Sequence, residues 1–398
     1  MNLIDVCIDI WDCPHTTAND EGEGYPLVRT PNIGRGRFDL NGVHRVCEEV
    51  YNIRNKRAIP QDDDIVFARE APAGNAAIIK NGLKLCLGQR TVLIRPNKEK
   101  VNPDFLTYFL LAPVQQHELL KTANGSTSSH VNMKTIRNLH IDLPSPDYQN
   151  KAASILYDYD ELIEINNRRI SILEEMAMRS YQEWFVHFRF PSHETTEFIN
   201  GLPAGWEICK LEDLAYESGK PEKKKNRDKY KYYLPIDCLP RKSLTYSSTD
   251  VIENAESSLL SFDKYDILFG AMRPYFHKVV FARDKGLTRS TCFVLNAKDK
   301  DMWGYLLMLL FDERTIDFAT QICTGSTMPY VLWDTLGRMD CIKPSKEVAK
   351  LYLNYIKPII KELTNLISQN SDLQQMRDRL LPQLMSGQLE VTPNDEAL

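Results

Sequence analysis

The chain repeats itself at a shift of 200 residues, and this duplication limits the folds that it can adopt. Between positions 125 and 145, seven of 21 residues are identical to the residue 200 positions later, without a gap. The matches are Gly125-Ser126-Thr127 with Gly325-Ser326-Thr327, Val131 with Val331, Thr135 with Thr335, and Pro144-Ser145 with Pro344-Ser345. Further matches keep the same order: Asp64-Ile65-Val66-Phe67 with Asp266-Ile267-Leu268-Phe269 after a two-residue slip, and Leu173, Met176 and Arg179 with Leu373, Met376 and Arg379. The sequence therefore predicts two similar halves.

Each half has the same plan, a turn-rich mixed segment followed by one long helix. Short runs of β-branched and aromatic residues predict strands, and the clearest are Ile65-Val66-Phe67, Val92-Leu93-Ile94 and Val279-Val280-Phe281. Asn102 followed by Pro103 predicts the start of a helix, because Asn caps the first turn and Pro fits its first position. We therefore expect an α/β (α+β) fold with two similar mixed domains.

Residues 148–185 and 346–384 predict two unusually long helices. Apolar residues recur in both at a spacing of three and four, the pattern of helices that supercoil about each other. A helix of this length would span roughly 57 Å and could not bury its apolar stripe on a small domain. We therefore expect the two helices to pack on each other as an antiparallel coiled coil, forming a spacer between the mixed domains.

Three residues bear on how these helices pair. Pro358 is expected to kink the second helix or to split it into two pieces, because proline lacks the N–H of the helical ladder. Asn166 and Asn370 fall near the apolar seam. They either fix the register of the pair, as a seam Asn can, or lie at the edge of the seam.

Charge and hydropathy limit the class of protein. The chain has 398 residues, of which 43% are hydrophobic and 26% charged, as is typical of a globular protein. No run reaches 18 apolar residues, and no basic segment precedes an apolar one at the start, so we expect a cytoplasmic protein without a membrane span or secretory signal. The net charge of −5 means that DNA binding would need local basic clusters or a partner that shares the electrostatic work.

This duplicated layout resembles the specificity subunits of type I restriction-modification enzymes. The resemblance depends on two different mixed domains, each followed by a similar long helix, and covers nearly the whole chain. The supporting segments are Asp266-Ile267-Leu268-Phe269 before a turn with Gly and Arg, Gly325-Ser326-Thr327, Pro344-Ser345, Leu202-Pro203-Ala204-Gly205-Trp206, and Leu380-Leu381-Pro382-Gln383-Leu384-Met385-Ser386-Gly387.

The resemblance implies a non-catalytic DNA-recognition subunit with four parts. Target recognition domains over residues 1–146 and 191–345 would each read part of a bipartite, asymmetric double-stranded DNA sequence. The central helix over 147–190, and the C-terminal helix and tail over 346–398, would set the gap between the half-sites and dock two methylation subunits. Restriction subunits with motor and nuclease activity would complete the enzyme. S-adenosylmethionine, ATP and Mg²⁺ are expected on the partner subunits, with no cofactor or metal in this chain.

Basic and hydroxyl side chains in turns are the residues expected to contact DNA, since Lys and Arg bind phosphates and Arg also reads guanine. They lie in a lysine-rich segment at 220–231, between glycines, after the matched strands, and in the Gly-Ser-Thr segments. The predicted set is Arg35, Arg37, Arg69, Ser126, Thr127, Lys223, Lys224, Lys225, Arg227, Arg273, Tyr275, His277, Lys278, Ser326 and Thr327. As alternatives, the lysine-rich segment is only a solvated loop, the arginines pair with carboxylates, and the Gly-Ser-Thr segments cap the elements that follow.

The resemblance also implies that the long helices contact the methylation subunits. The residues predicted for this contact are apolar or aromatic and lie toward the C-terminal ends of the two helices. They are Met176, Tyr181, Trp184, Phe185, Met376, Leu380, Leu381 and Leu384.

Two other classes of function stay open. One is an adenine methyltransferase or nuclease-like enzyme. Against it, Asn102-Pro103-Asp104-Phe105 lacks the second proline of an adenine-binding segment and has no glycine-rich cofactor loop beside it. Glu222-Lys223-Lys224 lacks the preceding Asp of a nuclease, and the sequence has no nucleotide-binding Gly-x-x-x-x-Gly-Lys-Ser/Thr loop. We therefore expect no catalytic residues. The other class is a coiled-coil scaffold whose domains bind protein rather than DNA.

Overall fold

A computed structural model of the protein describes residues 1–121 and 130–389. The chain forms two compact units. Unit 1 consists of Met1–Leu162 and Leu373–Leu398, and unit 2 of Ile163–Asp372. The boundaries cut through both long helices, so each unit contains one mixed domain and a piece of each helix. The four parts expected from the sequence instead separate each long helix from the mixed domains.

Unit 1 is built around a five-stranded sheet of order β1-β8-β5-β6-β3, in which β6 and β3 are parallel and all other neighbours are antiparallel. A smaller sheet has the order β4-β2-β7. The strands are β1 (Cys7–Asp12), β2 (Tyr25–Val28), β3 (Arg35–Gly36), β4 (Arg45–Val46), β5 (Ile65–Ala68), β6 (Ala76–Ile78), β7 (Cys86–Leu87) and β8 (Thr91–Pro96). The helices are α1 (Glu48–Arg54), α2 (Pro103–Leu111), α3 (Pro113–Lys121), α4 (Met133–Arg137) and the first part of α5 (Pro146–Tyr181).

Unit 2 contains an antiparallel sheet of order β12-β19-β16-β17 and a second sheet of order β13-β15-β18-β14. Two strand pairs, β9 with β10 and β11 with β20, complete it. The strands are β9 (Phe198–Ile199), β10 (Leu202–Pro203), β11 (Glu207–Lys210), β12 (Ala215–Glu217), β13 (Lys220–Glu222), β14 (Tyr232–Tyr233), β15 (Leu259–Phe262), β16 (Ile267–Gly270), β17 (Val279–Phe281), β18 (Gly286–Arg289), β19 (Cys292–Ala297) and β20 (Asp340–Lys343). The helices are α6 (Leu211–Leu214), α7 (Trp303–Phe311), α8 (Glu313–Ile322), α9 (Trp333–Leu336) and α10 (Lys346–Met385).

The main sheets of the two units share one strand order, which confirms the predicted duplication. The strands β1-β8-β5-β6 of unit 1 correspond to β12-β19-β16-β17 of unit 2. The helices α2, α4 and α5 begin 200 residues before α7, α9 and α10, respectively. The three predicted strands are β5, β8 and β17, and Asn102 caps α2 by accepting a hydrogen bond from the Phe105 backbone N–H at 2.9 Å. The second sheets differ, so the two units present different surfaces on a shared frame.

The long helices pair antiparallel inside each unit, as predicted. The residue numbers of the contacts rise along α5 while they fall along α10. The contacts are Tyr148 with Leu384 and Asp160 with Arg377 in unit 1, and Asn166 with Asn370 and Arg169 with Glu362 in unit 2. A short π-helical segment, Gln182–Val186, extends α5 to the end predicted from the sequence.

Pro358 does not split α10, so that alternative of the prediction is wrong: the helix is continuous from Lys346 to Met385. Pro358 and Asn354 are both exposed. The Asn354 carbonyl loses its helical hydrogen bond to residue 358, but on this exposed side water can bind it instead. Asn166 and Asn370 are buried and bonded to each other, so they lie within the seam and not at its edge.

Each unit buries its pieces of the long helices in its own core. In unit 1, Leu156 and Leu384 pack in one apolar cluster with Phe105 of α2 and Ile65 of β5. In unit 2, Ile170 and Leu363 share a cluster with Leu306 of α7 and Phe269 of β16. The helix pieces are therefore part of the folded units and not appendages to them.

Candidate nucleic-acid interface

The lysine-rich segment of unit 2 forms a compact turn around one carboxylate. It contains a short 3₁₀ helix, Lys224–Lys229, between β13 and β14. The Glu222 carboxylate accepts hydrogen bonds from the Asn226 side chain at 2.7 Å, the Lys223 backbone N–H at 2.9 Å and the Tyr230 hydroxyl at 2.9 Å. These bonds, with the Asn226 bond the largest contribution, lower the pKa of Glu222 to about 2. The ionised carboxylate thus holds the turn in shape.

The cations of this basic turn (220–231) lie on its outside. Lys223, Lys224 and Lys225 are exposed, and Arg227 is half-buried. Lys224 Nζ lies 2.8 Å from Glu256 Oε1, and Arg227 donates to the Glu253 carbonyl at 2.7 Å. The turn is therefore ordered by internal bonds while it presents positive charge, as a phosphate-binding loop requires. DNA contact by these four residues stays a prediction.

Arg273 lies in a second turn of unit 2, just after β16. Its backbone is left-handed, with φ of 50°, and its guanidinium donates to the Thr327 carbonyl at 3.4 Å. Ser326 and Thr327 are exposed, and Gly325 has φ of 94°, a conformation that favours glycine. The fold thus brings Arg273 together with the Gly-Ser-Thr segment of this half. Tyr275 is exposed in the same turn.

Two residues predicted beside Arg273 contact backbone carbonyls of this chain. His277 is buried, one ring nitrogen lies 2.8 Å from the Phe311 carbonyl, and burial lowers its pKa. Lys278 donates to the Ile236 carbonyl at 2.6 Å, and desolvation lowers its pKa as well. In the described structure both side chains have internal partners, so DNA contact would require them to rearrange.

Arg241 belongs to the same surface but was missed from the sequence. Its guanidinium lies 3.8 Å from the centre of the Phe276 ring, and the Arg273 guanidinium lies 6.0 Å from that centre. Arg241 is exposed. The neighbouring Pro240 and Lys242 mark a short basic turn, the signal from which Arg241 could have been found. Stacking on an aromatic face holds an arginine in one plane, ready to bind an acceptor.

In unit 1, Arg69 is at the centre of a buried polar network. It is 6% exposed, and it donates to the Val131 carbonyl at 2.9 Å and to Asp12 at 2.8 Å. His130 Nε2 lies 2.7 Å from Arg69 Nη2, and its other ring nitrogen contacts Glu70. For Arg69, the alternative to DNA contact is pairing with a carboxylate. In the structure Arg69 pairs with the Asp12 carboxylate.

Arg35 and Arg37 also have partners within unit 1. Arg35 is exposed and donates to the Leu111 carbonyl at 2.9 Å. Arg37 lies 2.6 Å from Glu161 of α5 and 5.5 Å from the centre of the Tyr157 ring. Both arginines thus link the sheet region of unit 1 to its helices. Ser126 and Thr127 lie outside the described residues.

The structure corrects half of the predicted partner-binding set. Four of its members lie in the core of their own unit, where they contact other parts of this chain. They are Tyr181 and Phe185 in unit 2, and Leu381 and Leu384 in unit 1. Trp184 and Leu380 are half-buried, whereas Met176 and Met376 are exposed. The physical reason is that an apolar residue near the end of these helices packs on the adjacent domain, so its apolar character alone does not indicate a docking residue.

Within residues 1–121 and 130–389, no group of three or more His, Cys, Asp or Glu side chains is arranged to hold a metal ion. None of the helices in these described ranges combines the length and the apolar character needed to cross a membrane.

Comparisons with known proteins agree with this architecture. Residues 1–175 match the family model described as the type I restriction modification DNA specificity domain. The type I restriction enzyme MjaIX specificity subunit of Methanocaldococcus jannaschii is 26% identical over 88% of this chain and 83% of its own length. The HindI specificity subunit of Haemophilus influenzae is 21% identical over 92% of this chain and 95% of its own. A crystal structure of the type I system S subunit from M. genitalium has the same fold, with a TM-score of 0.58, 13% identity and coverage of 98% and 96% of the two chains.

The duplicated fold and the match over residues 1–175 make this chain similar to the DNA specificity subunits of type I restriction enzymes. The match over residues 1–175 is to the DNA specificity domain and not to a catalytic one. The prediction made from the sequence is confirmed: this chain is a homologue of the specificity subunits of type I restriction enzymes.

Proposed function

We propose that this chain is the DNA-recognition subunit of a type I restriction-modification complex and that each unit reads one half of a bipartite target. The observation that carries the proposal is the shared strand order of the two main sheets, joined to second sheets that differ. A common frame places both reading surfaces in equivalent positions, and different loops on that frame read different bases. The target would therefore be asymmetric.

The gap between the two half-sites would be set by α5 and α10. A DNA-binding protein with two reading surfaces fixes its half-site spacing through the element that joins them. Both helices enter the core of each unit, through Leu156 and Leu384 in unit 1 and through Ile170 and Leu363 in unit 2. Anchoring of this kind supports the proposed role of α5 and α10 in setting the gap.

Partner subunits would share the binding of DNA and supply the chemistry. The net charge of the chain is −5, so its positive charge is local. The local positive sites proposed here are the basic turn and the surface that contains Arg241 and Arg273. Methylation subunits with S-adenosylmethionine, and restriction subunits with ATP and Mg²⁺, would provide the remaining phosphate contacts and the catalysis.

Exposed apolar residues on the long helices are the proposed docking surface for the methylation subunits. In unit 2, Ile165, Ile172 and Met176 of α5 are all exposed. Their spacing of seven and four places them on one face of the helix. Leu351 and Tyr355 of α10 are exposed at a spacing of four. Exposed apolar residues in such a pattern are typical of a surface that a partner covers.

Mapping of methylated adenines in the host genome tests this proposal. The genome of the strain with the intact gene should contain one bipartite motif in which both half-sites are methylated, and a strain without the gene should lack methylation at that motif. Methyl transfer by the purified chain alone would instead support the enzyme alternative. An unchanged methylation pattern after loss of the gene, in a strain that still contains the partner subunits, would support the scaffold alternative.

A further inference from the structure

Each long helix of this duplicated chain has two possible partners. The helix α5 can pair with α10 of its own chain or with α5 of a second copy, because the buried apolar positions of the two helices are alike: Leu156 and Ile163 recur as Ile356 and Leu363. We propose that two buried polar clusters, one in each unit, select the pairing of α5 with α10 and disfavour the pairing of like helices between two copies.

The first cluster, which we name the amide cluster, lies in unit 2. Asn166 is 6% exposed and Asn370 is 7% exposed. The Asn166 side-chain amide donates to Asn370 Oδ1 at 3.0 Å, and the Asn370 amide donates to Asn167 Oδ1 at 2.9 Å. Buried amides are stable when they bond to each other, and they destabilise a seam when one of them faces hydrocarbon.

The repeat shows what each amide would meet in the other pairing. At the shift of 200 residues, Asn370 corresponds to Ile170 and Asn166 corresponds to Leu366. If the α5 of a second copy took the place of α10, Asn166 would face Ile170 of that copy. If a second α10 took the place of α5, Asn370 would face Leu366. Both apolar counterparts are buried in the core of unit 2, so they already occupy seam positions.

The second cluster, the carboxylate cluster, lies in unit 1. Asp160 of α5 is 5% exposed and accepts hydrogen bonds from Arg377 of α10 at 2.6 Å and from the Tyr108 hydroxyl of α2 at 2.8 Å. The Arg377 side chain is 16% exposed. A carboxylate buried to this degree needs an opposite charge or several hydrogen bonds, and α10 supplies the charge.

In any pairing of like helices, the charge pair of Asp160 and Arg377 would be lost, as the equivalent residues of the repeat show. At the shift of 200 residues, Arg377 corresponds to Ala177, Asp160 to Ile360 and Tyr108 to Met308. The three counterparts are apolar and are buried in unit 2. A second α5 in the place of α10 would therefore leave the buried Asp160 opposite Ala177, and a second α10 in the place of α5 would leave Arg377 opposite Ile360.

The two clusters act in the same direction and lie in different units. In each, the polar group of α5 meets a polar group of α10, while the equivalent positions of the repeat carry hydrocarbon. Pairing within the chain forms the polar contacts across the seam in both clusters, and pairing of like helices would form none of them. Single buried polar residues are known to choose helix partners in this way, because the wrong partner leaves them without a hydrogen bond.

Copy-to-copy association of the full-length chain tests the proposal. A seam variant leaves the exposed Asn167 unchanged and replaces the other five polar residues by their repeat counterparts: Asn166→Leu, Asn370→Ile, Asp160→Ile, Arg377→Ala and Tyr108→Met. Two copies with different tags are co-expressed and purified through both tags in sequence. A matched control carries Arg169→Ala and Glu362→Ala, which remove an exposed ion pair of 2.6 Å between the same helices. We expect the wild type and the control to retain a second copy only at background, and the seam variant to retain about tenfold more.

Three outcomes would overturn the proposal. A folded seam variant that retains no more of the second copy than the wild type does would mean that these residues do not choose the partner. Strong retention by the wild type, with α5 cross-linked to α5, would mean that like helices pair despite the clusters. If the seam variant does not fold, the milder variant with only Asn166→Leu and Asn370→Ile decides in the same way. Loss of folding in this milder variant would also contradict the proposal, since the amides would then be required for stability and not for choice.

Discussion

The Tyr230 hydroxyl donates a hydrogen bond to Glu222 Oε2 at 2.9 Å, and this bond ties the end of the basic turn back to its start. The acceptor is a half-buried carboxylate whose pKa is lowered to about 2 by its hydrogen bonds. The shape of a positively charged surface thus depends on one negative charge.

Acid should open the basic turn. The folded-state pKa of Glu222 lies below its ordinary value of 4.5, so the stabilisation that it provides is present above pH 4.5 and is lost as the pH falls toward 2. Hydrogen exchange in the 223–230 segment, corrected for intrinsic rates, should be constant from pH 7 to about 4.5 and increase below that. Glu222→Gln should exchange faster at pH 7 and lose this pH dependence. Equal protection in Glu222→Gln and wild type would show that the charge does not hold the turn.

Loss of the exposed lysines should weaken DNA binding without changing the target. In the assembled complex, Lys223→Ala with Lys225→Ala should lower affinity to a similar degree for matched and unmatched DNA, because phosphate contacts carry no sequence information. The slope of log affinity against log salt should fall by about 1 for each phosphate contact that is lost. Filter binding or fluorescence anisotropy at several salt concentrations measures both quantities. The control is Lys357→Ala with Lys361→Ala, which removes two exposed charges of α10; an equal effect there would indicate only a change of net charge.

Alanine variants of Arg69 and Arg241 should affect different properties, the first the stability of the fold and the second the recognition of DNA. Arg69→Ala leaves Asp12 without its guanidinium in a buried network, and we expect it to lower the free energy of unfolding by about 2–4 kcal/mol. Arg241→Ala removes an exposed side chain and should change that free energy by less than about 0.5 kcal/mol. It should nevertheless reduce the affinity of the complex for its own target, by about 1–3 kcal/mol if the guanidinium binds a base. Thermal unfolding and DNA titration of both variants distinguish the roles, and the reverse pattern would contradict the assignment.

Longer helices should widen the gap between the half-sites. The variant has seven residues inserted after Arg169 of α5 and seven inserted in α10 near Glu362. Equal insertions keep the two antiparallel helices in register. The addition lengthens the pair by about 10 Å, or roughly three base pairs of DNA. Mapping of methylated adenines in a host with this variant should reveal the same half-sites with a longer gap. If the variant assembles and methylates with the original gap, the helices do not set the spacing.

Periodicity and internal repetition were enough to predict the main architecture. The 200-residue shift predicted two similar domains because its matches keep their order over more than 100 residues. The three-four spacing predicted the long helices to within a few residues because it recurs many times along each helix. The continuity of α10 through Pro358 could not be predicted in the same way. The helix continues because the Asn354 carbonyl, which loses its hydrogen bond at Pro358, lies on the exposed side of α10. Packing determines which side of a helix is exposed.

The candidate site was harder to predict from the sequence than the fold was. Arg69 and Arg273 both follow matched strands, yet Arg69 is buried beside Asp12 whereas Arg273 lies in an open turn next to Thr327. Arg241 joins that turn only because the fold brings it onto Phe276, 35 positions further along the chain. Such contacts join residues that are far apart in sequence, so local composition does not reveal them. The same reason explains why Tyr181 and Leu384, apolar residues near helix ends, are core residues.

Exchange of one reading domain tests the central claim most directly. Residues 1–145 are replaced by the equivalent segment of a related specificity subunit, and methylated adenines are mapped in a host that supplies the same partner subunits. If each unit reads one half-site, one half of the bipartite motif will change while the other half and the gap stay as before. An unchanged motif, or a change in both halves at once, would contradict the account.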